Sequence, residues 1–431
     1  MTFLWVYRAS ELRRLVWVTF LSGLFLGAVQ PALVYAETKI IPLATLTGRF
    51  DSNIWNRPAE LLDPRLQRED VLTIVGGGAQ VVHNSRDIEA SLTAIGTFNA
   101  YVENTDRNFF ATNINGSIGL DRWVDQYVRG ARLRIIESLR YSPDPPALLG
   151  GVRAAIEEDD IFFRGINGFR SNQIINTTGI EGKYPVSRDL ALEGGYTFGI
   201  RQFGRLQGGQ DVLEGNLFNT MTHTWFGGPR YQLTRNDSIA AIYRQTFFTQ
   251  TRSASGGRTI STNLISLAGE YAKEFQEWSF AVQGGVTFAE PVGRTFPSGL
   301  LRIRTRPERD TVVTLTLSRA GRPIGFLQGG AMISNLAKVG ISHRIYERLT
   351  VNGSVGYTLN ELFPNTDSSF KFLTASSGLS YKVTRTVTAQ VLYIFRNIDV
   401  DRPELQYEVS RHQVGLTLSF ALDALDIESW N

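Results

Sequence analysis

The 431-residue chain has no cysteine, 41 glycines, 11% aromatic and 20% charged residues, and a formal net charge of +3 at pH 7. That content is too aromatic for a disordered chain, and the missing cysteines exclude disulfides, thiol catalysis, thiolate zinc sites and c-type haem attachment. The four histidines (His83, His223, His343 and His412) lie far apart and suggest no metal site. No clustered Lys/Arg face calls for nucleic acid, and no motif calls for a cofactor.

The chain opens with Arg8, Arg13 and Arg14, then an apolar run over 15–29, Pro31, and Val34-Tyr35-Ala36. This is the layout of a secretory signal peptide with a small-x-small cleavage site, so residues 1–36 are expected to be removed. The alternative is an uncleaved anchor helix, for which fifteen apolar residues are short. Cleavage takes three arginines and one glutamate with it, leaving a net charge of about +1.

From residue 37 onward the pattern changes to period two. In 190–200, Leu190, Leu192, Tyr196, Phe198 and Ile200 share one face, opposite Glu193, Thr197 and Arg201. In 311–320, Val313, Leu315 and Leu317 oppose Thr314, Thr316 and Ser318. The same alternation recurs over 279–288, 349–359, 386–395 and 412–420. Alternation alone also fits a soluble sandwich. Three features separate the cases: strands of about 10–16 residues against the usual five or six, polar faces rich in Thr, Ser, Asn, Gln and Arg, and aromatics gathered near strand ends. These mark a membrane barrel with its apolar face turned to lipid.

Tight turns are expected near 84–86, 122–125, 185–188, 234–237, 274–277, 306–310, 345–348 and 383–386. Longer polar links fall near 56–69, 103–108, 142–168, 204–216, 251–258, 290–298, 320–329, 361–369 and 397–406. Short and long links interleave. The expected fold is therefore all-β: a transmembrane antiparallel barrel of the Gram-negative outer membrane, with about 18 strands (16–18) over residues 37–420. Both ends lie on the short-turn, periplasmic side, and 421–431 forms a short periplasmic tail. The last strand carries a polar-x-Gly-x-x-apolar-x-apolar ending, here Gln413, Gly415, Leu418 and Phe420. It resembles the signal read by the outer-membrane barrel assembly machinery, although many bearers of that signal stop at the aromatic.

The segments LTGRFDSNIWNRP (46–58), REDVLTIVGGGAQVV (68–82) and YVENTDRNFF (101–110) resemble one family. These are the beta-barrel porin 2-like proteins of Gram-negative bacteria, often found beside exopolysaccharide and exosortase loci. The family's Asp-x-Asn motif corresponds to Asp51, Ser52 and Asn53, and its Tyr-x-x-Asn segment to Tyr101 and Asn104. The resemblance implies an outer-membrane channel or export accessory and supplies no catalytic residue.

There are 38 arginines against six lysines. Arg132, Arg134 and Arg140 share parity on one strand, and Arg302, Arg304 and Arg306 on another. Lipid-facing arginine costs about 2–4 kcal/mol near the midplane, so both rows are assigned to the lumen. They read either as a ladder for anionic solutes or as wall residues paired with lumen acids such as Glu193 and Glu270. In the longest link, Glu157, Glu158, Asp159 and Asp160 read either as a constriction loop or as a solvated surface loop contacting divalent ions or lipopolysaccharide. Histidines without an elbow or zinc motif give an enzyme reading little support. Expected partners are outer-membrane lipid and lipopolysaccharide, the assembly machinery, small solutes and an unspecified envelope protein.

Overall fold

The computed structural model describes residues 37–62, 66–142, 171–206, 218–252, 259–290, 292–308, 310–323, 330–363, 368–401, 406–422 and 425–426. The signal-peptide segment 1–36 and the acidic run 157–160 lie outside them. Among the described residues no helix is long and apolar enough to cross a membrane.

The wall begins with β1 (Glu37–Asp51), β2 (Asp70–Asn84), β3 (Glu89–Tyr101), β4 (Phe109–Gly119), β5 (Arg132–Ser142) and β6 (Ser171–Pro185). It continues with β7 (Leu190–Leu206), β8 (Phe218–Gln232), β9 (Asp237–Arg252), β10 (Thr259–Glu274), β11 (Trp278–Glu290) and β12 (Arg294–Glu308). β13 (Thr311–Pro323), β14 (Ala331–Tyr346), β15 (Leu349–Phe363), β16 (Ser369–Lys382), β17 (Val387–Asp401) and β18 (Tyr407–Ala421) complete it. Each strand pairs antiparallel with its sequence neighbours, and β1 closes onto β18 from Leu43↔Ala421 to Asp51↔Gln413. Closure leaves no edge strand in the barrel, which the hydrocarbon layer would penalise at every free N–H and C=O. Beyond β18, Leu425–Asp426 forms a short strand β19 that pairs with Lys39 and Ile40.

Alternation sorts the two faces. Val75, Leu267, Val286, Val339, Val355 and Leu416 are exposed on the outer face at mid-strand. Phe50, Phe98, Phe110 and Tyr141 lie at the long-link end of that belt, and Tyr184, Tyr231, Trp278 and Tyr381 at the short-turn end. An apolar belt between two aromatic girdles is the signature of a lipid-facing barrel wall. Glycines let neighbouring backbones approach where the wall coils: a Cβ on Gly228 would lie 1.8 Å from the Ala241 carbonyl oxygen.

Two links differ from the sequence expectation. The long polar link expected over 290–298 is only 291–293. Gly293 takes φ 69°, which permits a tight reversal, and Arg294 already pairs with Ala289. Conversely, the tight turn expected at 122–125 is a longer connection over 120–131 containing helix α1 (Asp121–Asp125). There Asp121 accepts a hydrogen bond from the Leu133 N–H at 2.9 Å, and Asp125 accepts one from the Gly130 N–H. Local side-chain-to-backbone bonds therefore favour a compact helical turn over a hairpin.

Candidate functional site

At the long-link end, the described part of the first outer link folds inward. Ile54 and Trp55, both fully buried, pack on the lumen-facing Leu72, Ile74 and Tyr101, with Leu62, Leu66 and Phe109 alongside. The Trp55 indole donates to the Gln67 carbonyl at 2.8 Å, and the Arg107 guanidinium stands 5.2 Å over its ring. Burying these side chains contributes roughly 1.5–3 kcal/mol each.

A polar clamp holds this segment to the last strand. Asp51 accepts hydrogen bonds from Arg411 Nε at 2.9 Å, Arg411 Nη2 at 2.5 Å, Gln413 Nε2 at 2.7 Å and the Asn53 backbone N–H at 3.1 Å. Asn53 in turn donates to the Arg57 carbonyl at 2.9 Å. Next to it, Asp70 accepts from the backbone N–H groups of Val71, Val102, Glu103 and Asn104 and from the Asn104 amide. The Asp-x-Asn and Tyr-x-x-Asn residues thus share one buried cluster. No local signal in the sequence could name Arg411 as the partner of Asp51, 360 positions earlier.

On the opposite wall the outer ends of β13–β15 also turn inward. Ala331, Ile333 and Phe363 pack with Phe248, Leu264, Ala289 and Phe296 in one buried cluster. The Gly330 N–H donates to the Gln250 side chain of β9, across the lumen. On the lumen-facing parity of β16–β18, Phe370, Phe372, Ile398 and Val409 are buried as well. Among the described residues, then, the outer half of the lumen is packed by the first link and these strand ends.

A cavity of about 1440 Å³ runs from Thr350 and Lys382 at the inner ends of their strands up to Arg201, Thr220 and Arg322 toward the outer ends, lined by Thr and Ser hydroxyls, cationic side chains and apolar groups. Arg302 and Arg304 line it on the wet parity of β12, with Thr314, Thr316 and Ser318 of β13 beside them. Glu193 and Glu270 are held by other partners: Arg230 bonds both at 2.7 Å, and Lys183 lies 3.3 Å from Glu193. Arg306 shares the parity of Arg302 and Arg304 at the exposed inner end of β12. On β5, Arg132 and Arg134 are exposed near the inner mouth, whereas Arg140 is buried near the outer end. The three do not form one continuous row, because six residues of extended strand between Arg134 and Arg140 span about 20 Å. On β18, Leu418 and Phe420 take the outer parity, and Gln413 and Gly415 face the lumen.

All four histidines take the lipid-facing parity, each hydrogen-bonded to one hydroxyl on an adjacent strand. The pairs are Thr38–His83 at 2.9 Å, Tyr196–His223 at 2.7 Å, Thr311–His343 at 2.7 Å and Tyr393–His412 at 2.9 Å. His223 stacks beside Trp225, and His412 packs by Phe395, as interfacial residues do.

A closed wall with a lipid belt outside and a polar cavity inside makes the protein a porin-like β-barrel of the Gram-negative outer membrane. Residues 303–420 match the family described as Putative beta-barrel porin 2. A search of curated proteins finds no match. Among solved structures, the chain is similar to OccAB3 of Acinetobacter baumannii, with 12% identity and TM-score 0.43 over 89% of this chain and 99% of that one. It is similar to OpdQ of Pseudomonas aeruginosa, with 10% identity and TM-score 0.44 over 91% and 98%. The siderophore receptor PirA of P. aeruginosa follows, at 10% identity and TM-score 0.40 over 88% and 80%.

Proposed function

We propose that the barrel passes small solutes with a weak preference for anions. The observation that carries this reading is the pair Arg302 and Arg304, which line the cavity while the nearby acids are bound by Arg230. Guanidinium groups in a narrow lumen raise the local anion concentration, an effect screened over about 8 Å at physiological ionic strength. Arg132, Arg134 and Arg306 extend the basic surface to the inner mouth, and an acidic third link at 157–160 would oppose it. The matching experiment is reversal potential across a salt gradient. Anion preference at low salt should fall as salt rises and shift toward cations in R302Q/R304Q. An unchanged potential in that variant would reject the reading.

The mature chain of this proposal begins after residue 36, and its last strand, with Gln413, Gly415, Leu418 and Phe420, is the part read by the assembly machinery. The packed outer half of the lumen favours a second reading, an accessory barrel that partners an envelope machine such as exopolysaccharide export. A barrel that stays closed in planar bilayers and copurifies with envelope proteins supports this reading; a large steady conductance supports the channel.

A further inference from the structure

The cavity is chemically one-sided beyond the Arg302–Arg304 pair. Arg302 pairs in register with Thr316, and Thr316 with Lys338, so Arg302 and Lys338 stand two strands apart on one wall, about 10 Å. Arg322 on β13 and Arg244 on β9 line the same cavity, although the two strands are not neighbours in the wall. Arg244 also lies 5.7 Å from the Phe226 ring centroid on the lumen face of β8. Arg302, Arg304, Lys338, Arg244 and Arg322 all line the cavity, and Glu270 is the one carboxylate lining it among the described residues. Glu270 is already neutralised by Arg230.

Folding gathers these cations around one cavity. A single small anion cannot reach groups spread over a wall about 10 Å wide and a ceiling above it. A molecule with several negative groups can. The lining also carries neutral hydroxyls, among them Thr222, Thr246, Ser266 and Thr314, which solvate an anion without competing for the cations, beside apolar side chains such as Ile242 and Leu264.

We infer that the cavity is a binding vestibule for an oligovalent oxyanion, a solute carrying several carboxylate or phosphate groups, held between Arg302, Arg304 and Lys338 on the wall and Arg244 and Arg322 above. This goes beyond ionic preference, since it names a saturable site and the valence it selects; it rests on the reading of the lumen as a solute path.

The test is isothermal titration of the whole detergent-solubilised barrel with three probes: inorganic tripolyphosphate, citrate and monophosphate. Tripolyphosphate and citrate should bind saturably at low salt, and monophosphate at least tenfold more weakly. Attraction between unit charges about 6 Å apart in a water-like dielectric is worth about threefold in affinity. R302Q/R304Q should therefore weaken tripolyphosphate binding about tenfold, and R302K/R304K should retain it. Heat-modifiable migration shows that each variant is folded. Equal binding of monophosphate and tripolyphosphate, or unchanged binding in R302Q/R304Q, overturns the inference. Binding by tripolyphosphate but not citrate identifies phosphate as the source of charge and supports the site; the converse identifies carboxylate and supports it equally. A barrel that conducts but binds none of the probes overturns this inference alone, whereas one that binds but never conducts overturns the channel and leaves the vestibule standing.

Discussion

Replacing Asp51 with asparagine probes what holds the outer half of the lumen shut. Asp51 is fully buried and Arg411 is 3% exposed, so the pair sits away from bulk water. The substituted amide can accept one of the Arg411 hydrogen bonds but supplies no charge. Arg411 is then left facing Arg396, its lumen-side register partner on β17. Removing one member of a buried ion pair costs about 3–5 kcal/mol, because the other charge stays desolvated and uncompensated. The first outer link is the part best able to relieve it by swinging out. A shift of about 3 kcal/mol raises the open population on the order of 150-fold. Single-channel recording should show a sharp rise in open time for D51N, with faster hydrogen exchange at 53–57. The second substitution R411Q removes the stranded charge, so D51N/R411Q should close more often than D51N and lie well below the sum of the single effects. Additive effects in that cycle, or D51N recordings indistinguishable from wild type, would refute the clamp.

Other outcomes follow from the same geometry. Trp55→Ala removes the largest buried side chain under the first link, and urea titration should show a loss of about 3–5 kcal/mol in resistance of the link or the barrel. Gly228→Ala places a methyl group 1.8 Å from the Ala241 carbonyl oxygen, so heat-modifiability should shift downward by the equivalent of about 1–3 kcal/mol or more. On the lipid face, Glu137 accepts hydrogen bonds from Asn176 and Thr178 with Ile135 and Leu139 beside it. Glu137→Gln should fold normally, whereas Glu137→Lys should lose about 2–4 kcal/mol in vesicle refolding. Because the chain has no native thiol, Val292→Cys at the outer turn should react with a membrane-impermeant maleimide on intact cells and Asn236→Cys should not; the reverse pattern would invert the topology.

Much of the architecture was legible from residues alone because its cause is local. A strand's side chains alternate by covalent geometry, so Val313, Leu315 and Leu317 declare a lipid face and Thr314, Thr316 and Ser318 a wet one wherever the strand sits. Link spacing then orders the strands, since antiparallel neighbours need only a turn between them. The same logic put Arg302 and Arg304 on the wet parity. It failed at 291–293 and at 120–131, where a glycine dihedral and two aspartate–backbone bonds outweighed the polarity pattern.

What lies inside the barrel was decided only by tertiary structure. Parity says that Asp51 and Arg411 both face inward; closure of β1 against β18 makes them partners. Alternation likewise places Gly330, Phe363 and Phe296 on separate segments of the chain. Their meeting depends on the outer ends of β13–β15 leaving the wall and crossing toward β9, a bend set by packing among Phe248, Leu264 and Ile333. Periodicity reports which face a residue takes, and contacts across a lumen depend on how far each strand end folds inward, which is set by groups far away in the chain.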